Sequence, residues 1–309
     1  MYLLSRKVRD QNIKVVITGE GADEMLAGYD IFKESQIRNF WAREPRSRIR
    51  PLLFKKLYPY IPQISQMNTQ MLKFVFGYKL EHTTHPLYSH LLRWHNTSSL
   101  KMYFSPSLNN AISDYDPLAA VEQALPAGFS RWNSLEKAQW LETSIFLSGY
   151  LLSSQGDRMG MANSVEGRYP FLDYRVMEYC ASLPASFKLK SLDEKYILKQ
   201  LFRGRIPESI IKRSKQAFRA PIISTFISQP PDYLQEMMDK KAIQENGIFD
   251  YAKVEQLFRK AREGRIISEI DAMAITGIIS TQLFSKIFLT KDTRYLPELK
   301  LIQPTIYYQ

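Results

Sequence analysis

Cysteine and histidine are scarce in this chain of 309 residues, and their scarcity excludes several kinds of site. A single cysteine, Cys180, rules out an internal disulfide framework and any metal site made of clustered cysteines. All four histidines fall within fourteen residues, which excludes a histidine-dependent triad or zinc site elsewhere; they are His82, His85, His90 and His95. No cysteine or acidic ligand accompanies them at metal-binding intervals, so we interpret them as loop or surface residues.

The chain also lacks a recognisable targeting segment. Charged residues such as Arg6 and Lys7 interrupt the apolar start, so no signal sequence is expected and a cytoplasmic location is predicted. The most apolar window, 269–289, is nearly long enough to cross a membrane. However, it contains Asp271, Gln282 and Lys286, which predicts a buried core helix and no membrane partner.

The balance of charge is basic, with 42 lysines and arginines against 31 aspartates and glutamates, a net charge of +11. Six of the basic residues lie between Arg43 and Lys56, with Glu44 the one acid among them. Such a stretch suits either nucleic acid or a solvated, partner-facing surface. The aromatic residues are scattered and form no recognisable binding motif, so we expect no nucleic-acid partner.

The hydrophobic pattern predicts a mostly α-helical chain with one βα unit near its start. The run Lys14–Thr18 is short, β-branched and followed by glycine, which is typical of a buried parallel strand. A helix is predicted from Asp23 to Glu34, and further helices over 134–152 and 193–202. We therefore divide the chain into a βα unit (1–37), a variable helical lobe (38–126) and a helical core (127–309).

The turn Thr18-Gly-Glu-Gly-Ala-Asp-Glu24 is the sharpest chemical feature. Glycines on both sides of Glu20 permit close approach of the backbone to a ligand, and the helix start that follows is a natural anion site. Asp23 suits a Mg²⁺ ion that bridges phosphates, and Glu20 suits proton transfer. The alternative is a solvated turn in which the aspartate caps a helix.

Two further regions carry charges that suit a site. Residues 156–173 interleave Glu166, Arg168 and other charges with apolar residues, which indicates either buried ion pairs that stabilise the fold or an arginine that orients a carboxylate substrate. Lys195 and Lys215 suit phosphate binding, because a lysine at a helix start opposes the helix dipole unless an anion is near. The alternative for either lysine is a solvated surface charge.

In chain order, these blocks resemble the synthetase domain of the glutamine-dependent asparagine synthetases. Val15-Val-Ile-Thr-Gly-Glu-Gly-Ala-Asp-Glu24 is similar to the Gly-Glu-Gly-(Ser/Ala)-Asp-Glu turn of that family. The other matching blocks are Asp157-Arg-Met-Gly-Met-Ala162, Val165-Glu-Gly-Arg168, Pro170-Phe-Leu-Asp173, Glu194-Lys-Tyr-Ile-Leu-Lys199, Ile206-Pro-Glu208 and Arg213-Ser-Lys-Gln216. The resemblance implies the C-terminal part of an α/β synthetase domain of the adenine nucleotide alpha-hydrolase, or PP-loop-like, class.

The resemblance also implies an activity and residue roles. The family activates the side-chain carboxylate of aspartate with ATP and Mg²⁺, through β-aspartyl-AMP, and ammonia then attacks to give asparagine. By resemblance, Glu20, Glu166 and Lys215 are catalytic and Asp23 binds the metal ion. ATP or pyrophosphate would contact Gly19, Gly21, Lys195 and Lys215, and Arg168 would contact the acceptor carboxylate. Related β-lactam-forming synthetases have tyrosine in place of Glu20, so this glutamate favours amidation with ammonia.

Two parts of the family pattern are missing from these 309 residues. No Ser-Gly-Gly-x-Asp-Ser nucleotide loop is present, and position 2 is Tyr2 where a glutaminase would need its cysteine. We therefore expect an incomplete synthetase that neither makes asparagine nor hydrolyses glutamine alone, either as a truncated product or with a separate subunit that carries the loop and the glutaminase domain. The alternatives are an acceptor carboxylate other than aspartate and a non-catalytic helical interaction protein.

Overall fold

The computed structural model describes residues 1–213, 215–216, 221–222, 224–265 and 268–289, and these residues are mostly α-helical. The α-helices are α1 (Tyr2–Asp10), α2 (Ala22–Met25), α3 (Asp30–Ala42), α4 (Leu53–Leu57), α5 (Pro62–Gln66), α6 (Thr69–Phe76), α7 (Tyr88–Ser98), α8 (Pro106–Ala111), α9 (Pro117–Gln123), α10 (Ser134–Leu141), α11 (Arg158–Met161), α12 (Tyr174–Ser182), α13 (Ala185–Lys188), α14 (Tyr196–Phe202), α15 (Glu208–Ile211), α16 (Asp232–Met237), α17 (Lys240–Asn246), α18 (Tyr251–Arg262) and α19 (Glu269–Phe284).

The strands are few and short, as the sequence predicts. They are β1 (Val15–Ile17), β2 (Glu166–Arg168), β3 (Leu189–Lys190) and β4 (Asp193–Glu194). Strand β1 pairs with β2 in parallel, and β3 pairs with β4 in antiparallel fashion. The remaining helical turns are 3₁₀-helices at Arg50–Leu52, Ser99–Tyr103, Phe129–Arg131 and Pro170–Leu172, and π-helices at Glu142–Asp157, Ser224–Ser228 and Ser285–Leu289.

The chain forms two compact units, Met1–Trp94 with Leu118–Ala217, and His95–Pro117 with Phe218–Gln309. In the first unit, α3 is buried over most of its length, from Ile31 to Trp41. Aromatic side chains pack beside it, with the Phe54 and Phe76 rings stacked 3.8 Å apart between centroids. This packing fixes the helix that follows the Gly-Glu-Gly turn. The predicted subdivision at 37 and 126 stays a prediction.

The second unit is organised around α18 and α19. Leu257 and Phe258 of α18 and Ile275 and Ile278 of α19 are buried in one apolar cluster. Helix α19, with the π-helical turn that follows it, is 21 residues long and apolar enough to cross a membrane by length and composition. One of its faces packs into the apolar cluster of this unit, but only 33% of its most apolar window is buried. The prediction of a buried core helix is therefore confirmed for that face alone.

Strand β1 is parallel as predicted, but the prediction that it is buried is wrong. The side chains of Val15 and Ile17 are 38% and 74% exposed. Parallel strands are ordinarily covered on both faces. Among the described residues, β2 borders one edge of β1 and no element covers Ile17. Helix α1 is exposed in the same way, since Leu3 and Leu4 are 68% and 58% exposed.

Three predicted helices differ in detail. The helix predicted from Asp23 to Glu34 is two helices, because Ala27 adopts a left-handed conformation (φ 55°) between α2 and α3. The helix predicted over 193–202 begins only at Tyr196, after strand β4. The helix predicted over 134–152 is continuous, but it changes from α to π geometry after Leu141.

Candidate active site

The Gly-Glu-Gly turn leaves the carboxyl end of β1 beside the matching end of β2. The register pairs Ile17 with Arg168, and the Thr18 N–H donates to the Arg168 carbonyl at 3.0 Å. In parallel α/β sheets, ligands bind beyond the carboxyl ends of neighbouring strands. The predicted turn therefore lies at the edge of the sheet where chemistry is expected.

The two glycines of the turn, Gly19 and Gly21, have different structural roles. Gly21 has a φ of +89°, and a Cβ on it would lie 2.3 Å from Leu172 Cδ2. This glycine is therefore required by the packing of the turn against the segment after β2. A Cβ on Gly19 would have no atom within 4 Å, so that side of the turn is open to a ligand.

Asp23 is the centre of the charged cluster, and both predicted lysines contact it. Lys195 Nζ lies 2.9 Å from Oδ1, and Lys215 Nζ lies 2.9 Å from Oδ2. The Asp23 side chain is 15% exposed, and the lysines are 26% and 33% exposed. Neither lysine is therefore an isolated surface charge, although both side chains remain partly exposed. One carboxylate between two ammonium groups leaves one net positive charge, which suits a polyanion.

The Asp23–Lys195 contact depends on a glycine that the sequence reasoning missed. A Cβ on Gly28 would lie 2.0 Å from Asp23 Oδ1 and 2.5 Å from Lys195 Cε. Lys195 itself has a left-handed backbone (φ 52°), and its N–H donates to the Leu26 carbonyl at 3.0 Å. Strained backbone of this kind is held by its surroundings and is common at functional sites. Nothing in the sequence around Gly28 signals this role.

Glu194 contacts the backbone of Lys215, and the sequence reasoning also missed this residue. Its Oε1 accepts a hydrogen bond from the Lys215 backbone N–H at 3.1 Å, and Lys33 and Lys199 lie 3.3 and 3.4 Å from its carboxylate. Burial alone would raise the pKa of Glu194, but Lys33, Lys199 and the backbone donors outweigh it and lower that pKa. Its position next to Lys195 in the sequence was the available signal.

An aromatic side chain closes another side of the cluster. Lys215 Nζ lies 5.5 Å from the centroid of the Tyr29 ring, and the Tyr29 hydroxyl donates to Glu24 Oε1 at 2.8 Å. Burial, reinforced by Glu24, raises the pKa of Tyr29. Burial likewise raises the pKa of Glu24. This pair lies behind the lysine, where a cation–π contact restricts its side chain.

Glu166 and Arg168 do not join the Asp23 cluster. They form their own pair on β2, with Arg168 Nε donating to Glu166 Oε1 at 2.8 Å, and their side chains are 59% and 63% exposed. The alternative of a buried, fold-stabilising ion pair is therefore wrong for these two residues. An exposed guanidinium at the end of a strand keeps donors available for a carboxylate.

Glu20 lies in the turn, and its N–H donates to Thr18 Oγ1 at 3.4 Å. Tyr169, on the segment that follows β2, is close enough for the charge of Glu20 to affect its pKa. Burial raises the pKa of Tyr169, and the charges of Asp157 and Glu20 raise it further. The Tyr169 hydroxyl donates to Asp157 Oδ1 at 3.3 Å. Sequence reasoning did not select Tyr169.

A divalent cation fits this site if Asp23 is its one protein carboxylate ligand. Asp23 Oδ1 is buried and accepts no hydrogen bond, although Lys195 lies beside it, so this oxygen can serve a cation. Within the described ranges, no three His, Cys, Asp or Glu side chains are grouped as a metal cage. Mg²⁺ often takes one or two carboxylates and completes its shell with water and substrate phosphates, and Asp23 is sufficient for that arrangement.

Comparisons of the sequence with known proteins show what this chain is similar to. Amidase chyE of Penicillium rubens is 30% identical over 95% of this chain and 45% of its own length. Asparagine synthetase [glutamine-hydrolyzing] 1 of Bacillus subtilis is 23% identical over 98% of this chain and 45% of its own. Amidase chry2 of Gibberella zeae is 26% identical over 91% and 42%.

The chain thus spans less than half the length of these curated relatives. No solved structure matches it significantly. The asparagine synthase family model, however, matches residues 1–284, which include the turn, strand β2 and both lysines of the cluster. The chain therefore belongs to the asparagine synthase family.

Proposed function

We propose that this chain carries part of the site of an ATP-dependent amidation, in which ammonia converts a carboxylate to an amide and aspartate to asparagine. The observation that carries the proposal is the contact of Asp23 with Lys195 and Lys215. Lys195 and Lys215 are far from Asp23 in sequence, and the fold brings their charges to it, on the helix that begins directly after the Gly-Glu-Gly turn. That arrangement suits a metal-bound phosphate.

The lysines and the aspartate would exchange partners when substrate binds. Lys195 and Lys215 would turn from Asp23 to phosphate oxygens, and Asp23 would then hold Mg²⁺. ATP and Mg²⁺ would supply the activation of the acceptor carboxylate. Lys215, restricted by Tyr29 and by the Glu194 contact to its backbone, would neutralise the charge that develops on the departing pyrophosphate.

Glu20 would receive a proton from the attacking ammonia. It lies in the turn directly after β1, and its neighbour Gly19 leaves that side of the turn open. A carboxylate there can accept the proton that must leave nitrogen as the amide forms. Glu166 and Arg168 would orient the acceptor, with the arginine donating to its carboxylate.

The identity of the acceptor has two candidates. Aspartate is supported by the Bacillus subtilis relative, whose name is asparagine synthetase. Another carboxylate is supported by the Penicillium rubens relative, which is named an amidase and is 30% identical, against 23% for the former. The exposed Glu166–Arg168 pair suits either acceptor, because a guanidinium recognises the carboxylate that both share.

The exposed parallel strands support a partner segment. Ile17 is 74% exposed on β1, and an apolar side chain on a parallel strand is ordinarily covered. We therefore propose that a polypeptide segment carrying a nucleotide loop, on the same or a separate chain, packs here and completes the ATP site. The amidation then takes place in that assembly, in the cytoplasm, and the 309 residues alone are inactive.

The test is an amidation assay on the chain produced together with its adjoining reading frames. Carboxylate-dependent release of pyrophosphate is measured with ATP, Mg²⁺ and ammonia, and the amide product is identified by mass. We expect release with aspartate, and Lys215→Met lowers kcat about 100-fold or more. Lys212→Met is the matched control, because Lys212 is 77% exposed, three residues away, and pairs with the exposed Glu208.

Each result of this assay has a defined meaning. Release with a different carboxylate, and none with aspartate, replaces the aspartate assignment and keeps the amidation. Absence of release with every carboxylate rejects the amidation and leaves the non-catalytic interaction protein. Full activity of Lys215→Met rejects the proposed role of the cluster, and asparagine formation by the 309 residues alone rejects the need for a partner segment.

A further inference from the structure

The first unit contains a cavity that the proposed amidation does not use. Its volume is about 520 Å³, within the size range of small-molecule sites. It lies between α10 and α12, with contributions from α2 and α13. The lining side chains that bear on its chemistry are Met25, Trp132, Trp140, Met177, Lys188 and two glutamates, Glu136 and Glu178. None of these is a residue of the Asp23 cluster.

Lys188 is the unusual member of this lining. Its residue is only 2% exposed, so its ammonium group is removed from water. Nζ donates to Gln139 Oε1 at 3.3 Å and to the Ala181 carbonyl at 3.4 Å, and both of these acceptors are neutral. Within the described part of the chain, no carboxylate lies within the 4 Å of an ion pair. Lys188 is thus a buried cation without a paired anion.

Glu136 does not form an ion pair with Lys188. Its Oε2 accepts a hydrogen bond from the Asn133 backbone N–H at 2.9 Å, as part of the capping box at the start of α10. Its charge favours the protonated lysine from a distance, yet burial prevails and lowers the pKa of Lys188. A buried ammonium group is costly unless an anion pairs with it. The missing anion is what a ligand would supply.

The rest of the cavity indicates the body of that ligand. Trp132 and Trp140 present large aromatic surfaces, and Met25 and Met177 add adaptable apolar ones. Gln139 holds the lysine in place, because its Nε2 donates to the carbonyls of Glu24 and Met25 at 2.6 and 2.9 Å while its Oε1 accepts from Lys188. Glu178 also lines the cavity, but its side chain is exposed and forms no ion pair with Lys188 among the described residues. A buried cation beside mostly apolar side chains suits an amphipathic anion.

We propose that this cavity binds a small organic acid with an aromatic or aliphatic body, whose carboxylate contacts Lys188 Nζ and whose body packs against Trp132 and Trp140. The site is separate from the residues proposed for amidation. Its occupancy is therefore measurable without catalytic turnover, and failure of one proposal leaves the other standing.

Isothermal titration calorimetry with indole-3-acetate and its neutral amide, indole-3-acetamide, tests the proposal. The two probes share one body and differ in the charge that Lys188 would recognise. We expect the acid to bind about 10- to 100-fold more tightly than the amide, which is the usual value of a hydrogen bond to a charged group. Equal affinities, or no measurable heat with the acid, overturn the proposal.

Two variants and one control assign the binding to this cavity. Lys188→Met keeps the length of the side chain and removes the buried charge, so the fold is retained and the preference for the acid is lost. Ala181→Phe, at a residue that also lines the cavity, narrows it and weakens both probes. Lys190→Met is the matched control, because Lys190 is exposed two residues away and donates to the Tyr196 hydroxyl.

Retention of the acid preference in Lys188→Met shows that the carboxylate binds elsewhere and refutes the assignment. If that variant does not fold, Ala181→Phe decides. Binding of both probes at the original affinity then excludes this cavity, and loss of both supports it.

Discussion

Replacing Glu194 by glutamine tests whether a buried carboxylate supports the lysines of the proposed site. The Glu194 and Lys33 side chains are only 5% and 4% exposed, so water screens their attraction weakly. Glutamine keeps the size and the oxygen that accepts from the Lys215 N–H, and it removes only the charge. The variant therefore isolates the electrostatic contribution of Glu194.

The expected loss is moderate, because Lys33 and Lys199 each keep another carboxylate. Lys33 also contacts Asp30 at 2.8 Å, and Lys199 contacts Asp193 at 2.6 Å. Removing one partner of an isolated buried pair costs roughly 3–5 kcal/mol. With these second partners in place, we expect Glu194→Gln to lower the free energy of unfolding by about 2 kcal/mol.

The effect has a defined pH dependence. The pKa of Glu194 is lower in the folded protein than its ordinary value of 4.5. A carboxyl group of this kind stabilises the fold above the unfolded pKa and loses that contribution as pH falls toward the folded pKa. The difference between wild type and Glu194→Gln should therefore be full near pH 7 and shrink as pH falls below about 4.5.

Urea unfolding, followed by tryptophan fluorescence, measures the difference in unfolding free energy between wild type and Glu194→Gln for the first unit, which contains Glu194. All four tryptophans, Trp41, Trp94, Trp132 and Trp140, lie in the first unit, so the signal reports on it alone. Glu81→Gln is the control, since Glu81 is exposed and forms no ion pair with the described residues. A loss below about 0.5 kcal/mol at pH 7, or one that does not change with pH, would refute the reasoning.

Four further variants probe the turn, the cluster and the exposed strand. Gly21→Ala should lower the free energy of unfolding by about 2 kcal/mol or more, because Gly21 has a positive φ and a Cβ there would meet Leu172. Gly19→Ala should change that free energy by less than about 0.5 kcal/mol, because a Cβ there meets no atom. Equal losses for the two variants in urea unfolding would contradict this assignment. Gly28→Ala should weaken the binding of Mg²⁺–ATP, measured by calorimetry of the assembled protein, because the added Cβ would displace the Asp23 carboxylate. An unchanged affinity would show that Mg²⁺–ATP binding does not need Asp23 in this position. Ile17→Lys should leave the melting temperature of the chain unchanged and abolish co-purification with the partner segment; retained co-purification places that interface elsewhere.

The local structure of the site could be predicted from the sequence because its signals are local. A β-branched run followed by Gly-Glu-Gly specifies a strand, a tight turn and a helix start, and the structure confirms β1, the turn and α2. The break between α2 and α3 was missed, because the helical periodicity continues through Ala27 and only its left-handed backbone interrupts it.

The contact of Lys195 and Lys215 with Asp23 had no local signal. Only the resemblance to a family placed these residues in one site, and the structure then brought their side chains within 2.9 Å of the aspartate. Gly28 escaped notice because the need for a missing Cβ arises only when two distant segments meet.

The burial of β1 was mispredicted for a related reason. An apolar, β-branched strand indicates that burial is favourable, yet burial requires other elements to cover both faces. Ile17 remains 74% exposed because no described element covers it. Hydrophobicity is a property of the residue, whereas burial is a property of the assembled layers.

The sequence by itself determined the family, the helical character and the position of the Gly-Glu-Gly turn, because these depend on residue order and short-range periodicity. The tertiary structure decided which charges meet. It joined Asp23 to two lysines, hydrogen-bonded Glu194 to the Lys215 backbone, left Glu166 and Arg168 as an exposed pair, and buried Lys188 beside a largely apolar cavity. The physical reason is that a charge acquires its partner and its dielectric surroundings only when segments distant in the chain pack together.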